Sequence, residues 1–394
     1  MEYQAKSTQC VHSGNAADAA TGGVNTPIYT STAYAYLNQP KSLYPRYFNT
    51  PNQRAVIDKV CTLEHAEDGL LFSSGMAAIT TALLGLLQQG DHLVFPKEIY
   101  GGTQYMAVHE LGKFGIELSF TEGNAVEEFA AQIRPNTRII FLETPSNPLL
   151  SITDLEAIAR LALSRGITTV IDNTFASPIN QNPIDFGIDV VTHSGTKYLG
   201  GHSDISCGIV VSNRELMERI YHSAICFGGN LPAETCYLLE RSLKTLQLRV
   251  SRQNENALAL AKALQTHSTI ARVFYPGLEN HPGHPIAQKQ MKGFGGMLSF
   301  ELDTIKPLSF LHALRLIKPA MSLGGIESTI VQPWATSHSK ISEAERRALG
   351  ITERTMRLSV GIEEAEELLT DIEQAIEKGA KRGAALSQEG AIKS

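Results

Sequence analysis

Two hydrophobic rhythms alternate through the middle of the chain: short runs of β-branched or apolar residues, and longer stretches with apolar residues every three or four positions. Residues 91–95, 138–142, 167–171 and 189–193 are runs rich in Val, Ile, Leu and Phe. Runs of that length without polar alternation predict strands buried on both faces, as in a mainly parallel sheet. Residues 154–164 instead place Leu155, Ile158, Ala159, Leu161 and Ala162 at helical spacing, which predicts a helix laid against such a sheet. Residues 207–211 predict a further strand. Strands alternating with helices in this way make an α/β domain.

The flanks read differently. Residues 1–48 are rich in Thr, Tyr, Asn, Pro and Gly and show no sustained period, so they predict an extended arm that orders against something else. The cofactor-sized α/β domain then spans 49–248. From 249 to 394 a smaller α+β domain is expected, opened by a helix over 251–266, with strands at 296–302 and 355–360 and a charged helix at 363–378. The tail from Gly379 is expected to fray. Residues 69–90 carry no charged side chain, yet Ser73, Ser74, Thr80, Thr81, Gln88 and Gln89 interrupt them, so a buried helix is expected and not a membrane span.

Composition removes whole classes of function. With 34 Lys+Arg against 40 Asp+Glu, a net charge of −6 and no basic block, the chain lacks the cationic face that nucleic acid or an anionic membrane demands. Five cysteines without a CxxC pair read as reduced thiols. The polar start carries no secretory pattern, and a cytoplasmic location is expected. There is no GxGxxG after a strand and no P-loop. Neither is there a zinc-protease motif, since Lys113 follows His109-Glu110 where a second His belongs. Ser194-Gly-Thr-Lys197 matches SxxK but lacks the SDN and KTG companions of penicillin-binding sites. His281 and His284 bracket a Pro-Gly turn without further ligands, so no metal is expected.

Three features remain, all at strand ends, where open α/β sheets bind ligands. Phe72-Ser-Ser-Gly-Met76 is a small-residue turn into a helix, which suits an anion such as phosphate and equally a plain Ser cap. Asp172 ends a buried strand, a costly place for a carboxylate unless a cation, for instance a protonated ring nitrogen, pairs with it. Lys197 follows the next strand between hydroxyls and glycines, where a lysine can lose its proton and attack a carbonyl, or simply decorate a loop. Together they ask for a phosphate, a basic ring nitrogen and an aldehyde, the groups of pyridoxal 5'-phosphate (PLP).

These residues stand within a longer series: Tyr44-Pro-Arg46, Ser73-Ser-Gly-Met76, Tyr100-Gly-Gly-Thr103, Glu143-Thr-Pro-Ser-Asn-Pro148, Asp172-Asn-Thr174, Ser194-Gly-Thr-Lys-Tyr198, Ser322-Leu-Gly-Gly325 and Arg357-Leu-Ser-Val-Gly361. The series resembles the Cys/Met-metabolism family of PLP enzymes, which holds cystathionine γ-synthases, cystathionine γ- and β-lyases, methionine γ-lyases and acylhomoserine sulfhydrylases. The resemblance implies the aspartate-aminotransferase-like fold (fold type I) and a homotetramer built from dimers that share active sites. It implies that Lys197 is the Schiff-base lysine and that Asp172 pairs with the pyridinium nitrogen. Gly75 and Met76 would offer N–H groups to the phosphate, and Ser194 and Thr196 hydroxyls. Tyr44 and Arg46 would reach the phosphate of the neighbouring subunit. Tyr100 would stack on the ring and exchange a proton with the leaving group, while Arg357, helped by Asn147 and Ser322, would hold the substrate α-carboxylate.

The resemblance also bears on the reaction. Leu323 stands where one enterobacterial type of β-lyase has Trp, and Gly102 where methionine γ-lyases have Cys. Glu327 matches an acid of γ-lyases directed at the distal amino group of cystathionine, although Leu43 replaces a second Glu common among them. Trp334, the only Trp, would narrow the substrate entrance or pack. The expected activity is trans-sulfuration on a small sulfur amino acid at Cγ, with β-elimination, acylhomoserine sulfhydrylation and methionine cleavage as alternatives.

Overall fold

The computed structural model describes residues 3–339 and 342–392. The chain divides into two compact units. One holds residues up to 144 together with 153–248 and 290–292; the other holds 145–152, 249–289 and the residues from 293 onward.

The first unit is built on seven strands: β1 (Asp68–Phe72), β2 (His92–Phe95), β3 (Glu117–Phe120), β4 (Thr137–Glu143), β5 (Thr168–Asp172), β6 (Val190–Ser194) and β7 (Gly208–Ser212). They lie in the order β1-β7-β6-β5-β4-β2-β3. The pairs β3/β2, β2/β4, β4/β5 and β5/β6 are parallel, and β7 runs antiparallel to both β6 and β1. The mainly parallel sheet expected from the apolar runs is therefore present. Its core joins Phe72, Phe95, Phe141, Val170, Val190 and Val210 of the sheet to Ala78, Ile79, Ala82, Leu83 and Leu86 of the helix Gly75–Leu86. Each fully buried Leu, Ile or Phe there contributes roughly 1.5–3 kcal/mol.

The uncharged window is thus a strand followed by a buried helix. Among the described residues no helix is long and apolar enough to cross a membrane. The helix Leu155–Arg165 starts on Asp154, whose side chain accepts the Ala157 N–H, and stops at Gly166, whose φ of 64° a glycine adopts without strain. Between the short helix Lys6–His12 and the 3-10 turn Pro45–Tyr47 there is no helix or strand, as the lack of period predicts. Val24, Tyr36 and Leu37 in this stretch are exposed.

The second unit carries β8 (Ile270–Phe274), β9 (Met297–Leu302), β10 (Lys318–Pro319), β11 (Thr329–Val331) and β12 (Thr355–Ser359), in the order β10-β11-β12-β9-β8. Only the β10/β11 pair is parallel. Leu298, Phe300 and Leu358 of this sheet pack with Leu260 and Leu264 of the helix Leu246–Gln265 and with Leu368 and Ile372 of the helix Ala365–Ile392. That last helix runs through Gly379, where fraying was expected. The sequence after Gly379 is rich in Ala, Lys, Arg, Leu, Gln and Glu, residues of high helix propensity, and Gly379, Gly383 and Gly390 each cost only about 1 kcal/mol against them.

Candidate active site

Three adjacent strand ends carry the chemistry of the first unit. Asp172 closes β5 at 7% exposure, and Thr174 donates its N–H to Asp172 Oδ1 at 3.0 Å. Burial pushes the Asp172 carboxyl above the usual carboxylate range; the hydrogen bonds from Thr174 and the charges of His193 and Lys197 pull it back. Lys197 therefore lies close enough to act on Asp172 electrostatically. It sits in the tight turn after β6, where its own N–H donates to the Ser194 carbonyl at 3.1 Å and Gly201 donates to its carbonyl at 2.7 Å. The Ser194 N–H donates in turn to Thr174 Oγ1 at 2.8 Å, so the segments after β5 and β6 are locked to each other. The Thr196 hydroxyl is engaged with Cys207, accepting from its N–H at 3.0 Å and donating to its carbonyl at 3.2 Å.

The turn after β1 closes against this lysine loop. Ser74 caps the helix Gly75–Leu86: its side chain takes the Ala77 N–H at 3.1 Å and its carbonyl the Ala78 N–H at 3.1 Å. The N–H groups of Gly75 and Met76 take no protein acceptor among the described residues and remain for a ligand at the positive end of the helix dipole. A Cβ on Gly75 would stand 2.7 Å from Ser194 Cβ, and one on Gly208 only 2.0 Å from the Ser74 carbonyl oxygen. Glycine at both positions is what allows helix start, lysine loop and β7 to meet. The combination of two free donors, a raised buried carboxylate and a neighbouring lysine fits a ligand with an anionic end, a basic nitrogen and a carbonyl.

Tyr100 is held from the strand beside Asp172. Glu143 ends β4 in register with Asp172 of β5, and its Oε2 accepts the Tyr100 N–H at 2.7 Å. The ring lies over Gly102, where a Cβ would come within 2.5 Å of Tyr100 Cε1 and 3.2 Å of Met76 Sδ. Tyr100, 43% exposed, thus adjoins the first residues of the anion-binding turn. Tyr44 and Arg46 occupy a separate place. The Arg46 guanidinium lies 5.7 Å and 5.4 Å from the Tyr44 and Tyr47 ring centres and donates to the Ile225 carbonyl at 2.5 Å. Among the described residues it has no hydrogen bond to the groups around Lys197.

In the second unit Arg357 projects from β12 at 5% exposure. Its Nη1 donates to Asn147 Oδ1 at 2.8 Å and its Nη2 to the Ser322 carbonyl at 3.4 Å. The three residues expected to share a carboxylate are therefore together, with Ser322 contributing its backbone here and standing at a φ of 83°. Glu327 is exposed, two residues before β11. Trp334 packs under Arg346, whose guanidinium is 4.1 Å from its ring centre.

Two residues escaped the sequence reading. Glu143 ends an apolar strand just as Asp172 does, a signal that could have singled it out. His338 is buried, and its ring is pushed down to about 4 by burial and the nearby Arg357 charge. Nothing in the pattern around Trp334 marks it.

A family model described as Cys/Met metabolism PLP-dependent enzyme matches residues 7–377. Cystathionine gamma-lyase of Bacillus subtilis is 43% identical over 380 residues, covering 94% of this chain and 99% of that protein. Cystathionine beta-lyase MetC of the same organism is 42% identical over 375 residues, covering 94% and 96%. Among solved structures, cystathionine gamma-lyase from Lactobacillus plantarum complexed with L-serine aligns with a TM-score of 0.92 at 38% identity, covering 96% of this chain and all of that one.

Proposed function

The chain belongs to the Cys/Met metabolism family of PLP-dependent enzymes, and from that premise we propose that it is a trans-sulfuration enzyme acting on cystathionine or a related S- or O-substituted homoserine or cysteine by elimination or replacement at Cγ. The observation that carries the reading is the cluster at the ends of β4, β5 and β6: an acid, a lysine and a tyrosine beside two free helix N–H groups.

In this reading Gly75 and Met76 bind the cofactor phosphate with help from Ser194 and from Thr196, whose hydroxyl proton would turn from the Cys207 carbonyl to the phosphate, Asp172 holds the proton on the ring nitrogen, and Lys197 holds the aldehyde carbon. Once bound, the protonated ring supplies an acceptor for the electrons left on Cα when its proton is removed. The Lys197 amine, which would be freed when the substrate's own amino group takes its place on the aldehyde carbon, takes that proton, and a second one from Cβ if the leaving group is on Cγ. Tyr100 delivers a proton to the departing sulfur or oxygen. Arg357 and Asn147 bind the α-carboxylate bidentately, with Ser322 fixing the guanidinium, and Glu327 meets the distal ammonium of cystathionine. Tyr44 and Arg46 serve the phosphate of a neighbouring subunit in a tetramer of paired dimers.

The near-equal identity to a γ-lyase and a β-lyase supports β-elimination as the second reading. Product identification with cystathionine separates them: cysteine and 2-oxobutanoate mark γ-cleavage, homocysteine and pyruvate β-cleavage. Failure to turn over cystathionine, with or without an acylhomoserine, would defeat both. Borohydride reduction of the loaded enzyme is expected to fix PLP on Lys197, and a reduced adduct on any other residue would refute the site.

A further inference from the structure

Behind the strand ends that carry Asp172 and Lys197 lies a buried carboxylate that none of the roles above uses. Glu64 is the last residue of the helix Pro51–Glu64 and is 0% exposed. A carboxylate there faces two penalties, desolvation and the negative end of the helix dipole. Two buried donors converge on one of its oxygens: His193 Nε2 lies 2.5 Å and Asn173 Nδ2 3.0 Å from Glu64 Oε1. Glu64 Oε2 has no partner among the described residues. The Lys6 ammonium donates to the neighbouring Leu63 carbonyl and feels the Glu64 charge.

The strand register says what the cluster does. Asp172 of β5 pairs with Thr192 of β6, and the Asn173 N–H continues the ladder to the Thr192 carbonyl at 3.0 Å. Because side chains alternate along a strand, Asp172 and Thr192 point to one face while Asn173 and His193 point to the other. Glu64 thus grips from behind the residue after Asp172 and the residue beside it on β6. Asn173 is gripped a second time: it donates to the Gln181 carbonyl at 3.0 Å and accepts from Gln181 Nε2 at 3.0 Å, which also donates to the Thr144 carbonyl just beyond β4. One network ties the ends of β4, β5 and β6 to a helix on the opposite face.

We propose that Glu64, acting through its hydrogen bonds to His193 and Asn173, is a positioning residue that sets the Asp172 carboxylate against the ring nitrogen of PLP. Since both bonds end on Oε1, a glutamine, which keeps that oxygen as an acceptor and sets an NH2 group in place of Oε2, preserves them, whereas an alanine removes them and strands two buried donors.

The inference rests on the assignment of Asp172 to the ring nitrogen, and the experiment includes a variant for each. Apo-protein is titrated with PLP and followed by the visible spectrum of the bound cofactor, with thermal unfolding recorded in parallel. E64A is expected to weaken PLP binding roughly tenfold, the effect of about one lost buried hydrogen bond, and to change the ratio of the visible to near-ultraviolet bands; E64Q is expected to restore both. Wild-type spectrum and affinity in E64A, or equal change in E64A and E64Q, overturns the proposal. If E64A does not fold, N173A, which removes one donor only, is read in the same way. D172N separates the two levels. A changed spectrum in D172N with an unchanged one in E64A sinks the positioning role alone, whereas an unchanged spectrum in D172N removes Asp172 from the ring nitrogen and the positioning role with it.

Discussion

Asp172 shows how a residue suited to its chemistry works against the fold. Its carboxyl is raised by burial above its value in the unfolded chain. A carboxyl raised on folding stabilises the chain at low pH, where it keeps its proton, and that stabilisation is lost as pH rises through the folded value. As pH rises the buried carboxyl therefore becomes a burden on the apo-protein. Asp172→Asn keeps the oxygen that accepts from Thr174 and removes the charge. It is expected to stabilise apo-protein at pH 7, seen as a raised melting temperature, while lowering kcat about 10²–10³-fold in the loaded enzyme. An apo-protein of unchanged or lower melting temperature would contradict this account. Glu143 and Asp172, in register at the ends of β4 and β5, further divide the labour, the first fixing the Tyr100 backbone and the second kept near Lys197.

At the level of elements, the decisive feature is the junction of the helix Gly75–Leu86, the lysine loop and β7. Three pieces far apart in sequence approach within van der Waals distance because the contact positions lack a Cβ. Gly208→Ala would drive a methyl into the Ser74 backbone, which cannot swing aside as a side-chain tip could. The expected result is a loss of about 1–3 kcal/mol or more in urea unfolding together with weakened PLP affinity, and wild-type behaviour in both would show that the junction is looser than its geometry. By comparison the helix Leu155–Arg165, with its Asp cap and Gly stop, is a self-contained unit that supports the sheet and carries none of the site residues.

For the whole molecule, the arm is the element that calls for a partner. It has no regular structure between His12 and Pro45, exposes Val24, Tyr36 and Leu37, and ends in a Tyr44–Arg46 pair engaged with its own Tyr47 and Ile225. In the proposed tetramer Arg46 serves a neighbour's phosphate. Arg46→Ala is then expected to raise the PLP dissociation constant about 10- to 100-fold, from 1.5–3 kcal/mol per charged hydrogen bond, without altering the oligomer seen by size-exclusion chromatography. Unchanged affinity in an intact oligomer would take Arg46 out of the phosphate site.

Residue order alone determined the class of fold and pointed to the candidate reactive groups. The β-branched and apolar runs at 91–95, 138–142, 167–171 and 189–193 lack the strict polar alternation of a strand with one solvated face, and these became β2, β4, β5 and β6 within a residue or two. Asp172 stood out because a charge directly after such a run has no cheap explanation, and Lys197 because it follows the next strand between hydroxyls and glycines. Tertiary structure decided the rest. Glu64, His193 and Asn173 are each unremarkable in sequence, since a single polar residue at a helix end or strand end is common. Only the strand register and the helix behind it turn them into a network. The strands β1, β3, β8, β10 and β11 were also hidden, being short, glycine-bearing or interrupted by polar residues, with their ladder hydrogen bonds supplied by partner strands outside the segment. Local pattern encodes what a segment must bury, whereas contacts across long sequence separations encode which groups it buries them against.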